Sequence, residues 1–154
     1  MRVVLDTNVL VRAMASPSGP AGELFERVAA DHVLIASPEL LEELSRVLGY
    51  DSVRRMHQRT DVDITEFLAS VASGATVVLL PTLLPRVVPG DPKDDLVVAT
   101  AVAGRADVVC TLDRHFHQDG VRNYCRERMI GIMDDVQLLT QLRHRAEESG
   151  PSLP

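Results

Sequence analysis

The chain has no tryptophan and only five Phe or Tyr residues among 154, so no aromatic cluster can organise its interior or stack a row of bases. Its core must be built from Val, Leu, Ile and Ala. Cysteine is scarce too. Cys110 and Cys125 stand alone, without a CxxC or Cys/His zinc spacing, which excludes a disulfide framework and a structural zinc site of the common kinds. Two free thiols suit a reducing cytoplasm. No apolar run approaches the ~18 residues of a membrane helix. No basic segment followed by an apolar stretch and a cleavage site is visible at the N-terminus, so no export signal is expected. Lysine is almost missing: Lys93 is the only one among 16 basic residues, and the formal net charge is −6. That balance argues against a non-specific duplex-DNA binder, whose affinity comes from neutralising phosphates. It leaves room for an enzyme whose negative charge is gathered in one place.

What is present begins at the first residues. Arg2 to Leu5 is a β-branched run that reads as a strand buried on both faces. It stops at Asp6, where Thr7 and Asn8 are expected to cap a helix starting with Val9. A carboxylate therefore lies where an interior strand gives way to a helix, the edge at which open α/β sheets bind ligands. Alone, Asp6 would be read as a helix cap. Three further acids change that reading.

In the helix Pro38 to Leu48, Leu40, Leu41, Leu44, Val47 and Leu48 form one apolar arc. Glu39 and Glu42 point away from it, whereas Glu43 lies on its flank and can turn along the buried side. Gly90-Asp-Pro-Lys-Asp-Asp95 opens a helix that is apolar almost all round to Ala103. Asp91 is its N-cap and Pro92 its first residue. Asp94 shares the face of Val97, Val98, Ala101 and Val102, while Asp95 sits round to the side. A carboxylate on a packed face is costly unless a cation or donors meet it, which singles out Asp94. Finally, Ala106 to Cys110 is a strand continued by Thr111-Leu-Asp113, and Asp113 repeats the placement of Asp6.

The remaining segments complete an alternation of strands and helices. Helices are expected at 21–30, briefly within 49–63 ahead of a turn near Asp61–Asp63, at 64–72, and from Asp134-Asp135 to about Arg145. Strands are expected at 33–36, 76–80 and 129–133. Segments 81–90 and 114–124 read as loops, the latter with a helical turn, and both are placed where substrate specificity would lie. The alternation predicts a parallel sheet with helices on both sides. No internal repeat or linker is visible.

With right-handed crossovers, Asp6, Glu43, Asp94 and Asp113 come to one edge of the sheet. Four close carboxylates repel one another unless a cation sits among them. An all-oxygen set suits Mg²⁺ or Mn²⁺. Such an ion can generate hydroxide and stabilise charge on a phosphodiester, so the chemistry implied is metal-dependent phosphodiester hydrolysis.

Four stretches in order, Leu5-Asp-Thr-Asn-Val-Leu, Ser37-Pro-Glu-Leu-Leu-Glu-Glu-Leu44, Asp91-Pro-Lys-Asp-Asp and Ala106-Asp-Val-Val-Cys-Thr-Leu-Asp113, resemble the PIN domain. The likeness runs from Arg2 to about Leu142, and is strongest to bacterial toxin components related to the VapC-type ribonucleases. It implies a three-layer α/β/α sandwich with a central, mostly parallel sheet of four to five strands. One nuclease domain is expected over 1–145, with a disordered tail over 146–154. The resemblance further implies Mg²⁺- or Mn²⁺-dependent cleavage of single-stranded RNA, frequent homodimers and a small antitoxin partner. Position by position it makes Asp6, Glu43, Asp94 and Asp113 the catalytic acids, with Asp6, Asp94 and Asp113 holding metal and Asn8 and Thr111 supporting them. The chain departs from the pattern at His115, where relatives place an acid or Asn. That departure weakens the fourth-acid side. The pair His115 and His117 is read as surface-loop histidines.

Two other readings compete. A haloacid-dehalogenase-type phosphatase also starts with a strand ending in Asp, but needs a second Asp where this chain has Asn8. A non-catalytic PIN-type module would hold RNA or protein without cutting it.

Overall fold

The computed structural model describes residues 1–148. The elements run β1 (Arg2–Leu5), α1 (Thr7–Ala15), α2 (Pro20–Asp31), β2 (Val33–Ala36), α3 (Pro38–Leu48), α4 (Asp51–His57), α5 (Asp61–Gly74) and β3 (Ala75–Val77). After a long irregular segment come α6 (Pro92–Ala103), β4 (Val108–Cys110), a 3-10 turn (Arg114–His117), α7 (Asp119–Arg126), β5 (Gly131–Met133) and α8 (Asp135–Glu148). The five strands form one sheet in the order β3-β2-β1-β4-β5, and every pairing is parallel.

This is a three-layer α/β/α fold, and the short strands explain how it is filled. Val3 and Leu5 on β1, Leu34 on β2, and Val108 and Cys110 on β4 face one core with α1, α2, α5 and α8. The alternate residues Val4, Ile35 and Val109 face a second core with α6, α7 and Phe116. Period-two alternation with both sets buried produces the unbroken apolar runs seen in the sequence. Helix α3 crosses the edge between the layers, giving Leu44 and Leu48 to the first core and Leu40 to the second. Close approach is visible at Gly104, the C-cap of α6, where a Cβ would lie 2.3 Å from Ile35 Cγ2.

Several boundaries differ from the sequence reading, each for a local reason. Helix α1 starts at Thr7 because Asp6 itself is the N-cap, its side chain accepting from Thr7 N–H; Thr7 and Asn8 are not the cap. The expected turn at Asp61–Asp63 is the first turn of α5, set by a capping box between Thr60 and Asp63. Strand β3 is shorter than 76–80 and β5 shorter than 129–133. Segment 114–124 is not a loop: it holds the 3-10 turn and most of α7, anchored by buried Phe116, Val121 and Cys125. Helix α8 continues through Glu148, past the expected end near Arg145. The rest of the expected disordered tail, 149–154, lies outside the described residues. The arginine-rich stretch around α4 turns out to be partly structural. Arg54 pairs with Asp61, and His57 is buried, with its Nε2 3.2 Å from the Leu48 carbonyl and Nδ1 accepting from Arg59 N–H.

Among the described residues no helix is long and apolar enough to cross a membrane.

Candidate metal centre at the sheet switch point

Strand order decides where the site lies. From β1 the chain moves outward through β2 and β3, then returns to place β4 on the other side of β1. The connections from β1 and β4 leave in opposite directions, and a crevice opens between their carboxyl ends. Asp6 follows β1 there, and Asp113 lies three residues beyond the end of β4.

Asp6 is held rigidly. One carboxylate oxygen accepts from Thr7 N–H at 2.7 Å, and the other accepts from Thr111 Oγ1 at 2.7 Å and Asn8 Nδ2 at 3.3 Å. Both supporting side chains also reach the loop after β4. Thr111 Oγ1 accepts from Asp113 N–H, and Asn8 Oδ1 accepts from Leu112 N–H. The two strand ends are therefore stitched together by the two polar residues expected to support the acids. An amide N–H is far too weak an acid to replace the carboxyl group that the phosphatase reading needs at Asn8, and that reading loses its chemistry.

The helices bring the other two acids. Asp94 enters on the first turn of α6, whose N-cap Asp91 accepts from Lys93 N–H. Glu43 is buried on the flank of α3, where the apolar arc left it room. Asp6, Glu43, Asp91, Lys93 and Asp94 line one hollow of about 190 Å³ together with Thr7 and Asn8. A larger hollow, about 620 Å³, lies between α2 and α5 around Phe25 and Phe67 and contains none of the four acids. Volume is a poor guide here, because a small ion needs converging oxygens rather than an apolar cleft.

The electrostatics are those of crowded acids with little positive charge among them. Burial, with smaller contributions from Glu43 and Asp113, raises the Asp6 pKa from 3.8 to about 6 even against its hydrogen bonds to Thr111 and Thr7. Burial, then repulsion from Asp113, Asp6 and Asp91, raises Asp94 from 3.8 to about 6, with the neighbouring His115 ring pulling the other way. Glu43 is raised by burial and partly relieved by Lys93, whose Nζ stands 3.9 Å from Glu43 Oε1. Asp94 Oδ2 is buried and has no hydrogen-bond partner among the described residues. An orphaned carboxylate oxygen aimed into an acidic crevice is the position a cation would satisfy. The donor set fits a divalent ion.

A family model for the PIN domain matches residues 2–115. The chain belongs to the PIN domain family. A search among curated proteins finds no match. The matched region carries all four acids of this PIN domain and ends at the residue where the chain departs from the expected pattern.

That residue, His115, is not a plain surface-loop histidine. Its Nδ1 lies 3.3 Å from Asp113 Oδ1 and 3.5 Å from Asp94 Oδ2. One ligand atom from each of Asp94, Asp113 and His115 falls within 4.8 Å of the others. Sequence reasoning registered His115 as a departure but had no means of placing it inside the cluster. It also passed over Lys93. The signal for Lys93 was available: the chain's only lysine stands inside an Asp-rich helix start. Asp95, next to Asp94, faces the other way. Its Oδ1 accepts from Val87 and Val88 N–H, both at 2.8 Å, and its Oδ2 is 2.9 Å from Arg86 Nε. It ties down the irregular segment before α6 and takes no part in the crevice. Asp135 is another buried acid apart from the cluster. It faces Arg12 at 3.3 Å.

Proposed function

We propose that this PIN domain is a metal-dependent endoribonuclease that hydrolyses phosphodiester bonds of single-stranded RNA. The observation carrying the proposal is the crevice at the β1–β4 switch point, where buried acids converge and Asp94 Oδ2 has no hydrogen-bond partner among the described residues. Asp6, Asp94 and Asp113 would hold Mg²⁺ or Mn²⁺, and the bound ion would supply activation of water and neutralisation of charge on the phosphate. The chain's own residues do the rest. Thr7, Thr111 and Asn8 fix the Asp6 carboxylate, so its orientation is set before substrate arrives. Glu43, buried, raised in pKa and lining the hollow, would accept a proton at its Oε atoms from water there. Lys93, half exposed at the rim, offers the site's one ammonium to a phosphate of the strand.

The biological setting we infer is the toxin of a toxin–antitoxin pair. It would act in the cytoplasm as a homodimer and be silenced by a small antitoxin protein. The family and the resemblance to toxin components support this reading.

The test is a substrate panel. Single-stranded RNA, duplex RNA and single-stranded DNA of one sequence are incubated with the protein and Mn²⁺. Cleavage confined to single-stranded RNA is expected. Binding of RNA without cleavage of any substrate, with the ion bound, would favour the non-catalytic module. Preferential cleavage of DNA would overturn the substrate assignment while leaving the hydrolase.

A further inference from the structure

We propose that His115 Nδ1 is a ligand of the candidate ion site and makes that site select transition ions such as Mn²⁺ and Co²⁺ over Mg²⁺. The assignment rests on the ion site argued above and adds to it a nitrogen donor and a consequence for which ion is held.

Three observations converge on it. First, Nδ1 is buried and lacks a hydrogen-bond partner among the described residues, and so does Asp94 Oδ2, on a residue that is only 8% exposed. The two atoms, an imidazole nitrogen and a carboxylate oxygen, face each other across 3.5 Å without forming a hydrogen bond. Second, the spacing suits shared coordination. Bonds of ~2.1 Å meeting at 90–110° put neighbouring ligand atoms ~3.0–3.4 Å apart. Nδ1 lies 3.3 Å from Asp113 Oδ1, inside that range, and 3.5 Å from Asp94 Oδ2, just beyond it, and neither contact is a hydrogen bond. Third, the ring is carried on a fixed element. Asp113 caps the 3-10 turn by accepting from His115 N–H at 2.9 Å, and the next residue, Phe116, is fully buried. A histidine between a cap and a core anchor is aimed, and that distinguishes it from His117, which is exposed on the same turn.

The consequence follows from ligand chemistry. Mg²⁺ is a hard ion that prefers oxygen and gives up its waters reluctantly, whereas imidazole suits the later first-row ions. Replacing the acid or Asn of the usual pattern by His removes an oxygen donor and adds a nitrogen one. Affinity for Mg²⁺ drops relative to Mn²⁺, and relative to Co²⁺ more.

The test uses the full chain freed of metal, with Mn²⁺ and Mg²⁺ titrated separately by calorimetry into the native protein and into His115→Asn. His115 is almost half exposed, so the variant is expected to fold, and its thermal unfolding checks this. In the native protein Mn²⁺ is expected to bind roughly tenfold or more tightly than Mg²⁺. In His115→Asn that preference should collapse, with Mn²⁺ weakened by roughly 10- to 100-fold, the range seen when groups that tune a metal are lost. Pulsed electron paramagnetic resonance of bound Mn²⁺ should show coupling to a ring nitrogen in the native protein only. Equal affinity for the two ions, a preference unchanged in the variant, or bound Mn²⁺ without nitrogen coupling would each overturn the assignment of His115 and leave the acidic ion site standing. Failure of both ions to bind would remove the site itself, and the assignment with it.

Discussion

Replacing Asp94 with Asn in the metal-free protein is expected to raise its stability at pH 7, although the side chain is buried and belongs to the proposed site. The magnitude follows from the raised pKa. Asp94 moves from 3.8 to about 6, first through burial and then through its acidic neighbours. At about 1.4 kcal/mol per unit, holding the ionised group in the folded state costs about 3 kcal/mol. Solvent in the crevice screens part of that, leaving about 1–2 kcal/mol. The sign has a pH signature. A carboxyl whose folded pKa is raised contributes fully to stability below 3.8, where it is protonated in both states, and loses that contribution as pH rises through 6. The advantage of Asp94→Asn should therefore be full above pH 6 and fade toward pH 4. Asp95→Ala, one residue along, should do the reverse. It strips one buried and one half-buried N–H of a charged acceptor and should cost about 3 kcal/mol. Urea unfolding from pH 4 to 8 in the presence of a chelator measures both. At about 2–4 °C per kcal/mol for a chain of this size, thermal unfolding would resolve them as shifts of opposite sign. Loss of stability in Asp94→Asn at pH 7, or a gain independent of pH, would refute the claim that burial and acidic neighbours dominate the surroundings of Asp94.

Further consequences concern the scaffold, at the site and away from it. Thr111→Val removes the donor to Asp6 and the acceptor for Asp113 N–H, so chemical denaturation should show a loss of about 1–3 kcal/mol, and metal affinity should fall with it. Gly22→Ala would set a Cβ 2.0 Å from the Pro17 carbonyl oxygen. Backbone cannot yield as a side-chain tip can, so a loss of about 1–3 kcal/mol is expected in thermal unfolding. Asp6→Asn in the metal-free protein should, like Asp94→Asn, gain stability as pH rises through 6. The gain is offset in part because Asn cannot accept from all three of its present donors. A pH-independent effect in differential scanning calorimetry would contradict the raised pKa.

Much of the fold was legible because it rests on local rules. The strands β1 and β2 are continuous apolar runs, and α3 and α6 begin with Ser37-Pro38 and Asp91-Pro92, cap and first-turn signals that the structure keeps to the residue. Helical phase also separated Glu43 from Glu39 and Glu42, since burial on a helix follows from angle, but burial does not separate Asp94 from Asp95: both are buried, and they differ in what their carboxylates meet. The limits were equally physical. Helix α7 was missed because its sequence is polar and short; it is fixed by Val121 and Cys125 packing on a core that only tertiary structure assembles. The strand order, and with it the crevice between β1 and β4, is a global property that no window of sequence contains. His115 illustrates the same limit at the site. Its identity was conspicuous, but its position between Asp94 and Asp113 depends on a 3-10 turn that reads as loop. Asp95 was placed outside the site by its angle, while its purchase on Val87 and Val88 needed the path of the irregular segment.

The most direct measurement of the central claim is cleavage of a mixed single-stranded RNA pool by the native protein with Mn²⁺ or with EDTA, beside Asp6→Asn. Cleavage that requires the ion and disappears in the variant is the predicted result. RNA cut equally well in EDTA, or by Asp6→Asn with Mn²⁺, would contradict a metal-dependent nuclease centred on the acids at the switch point.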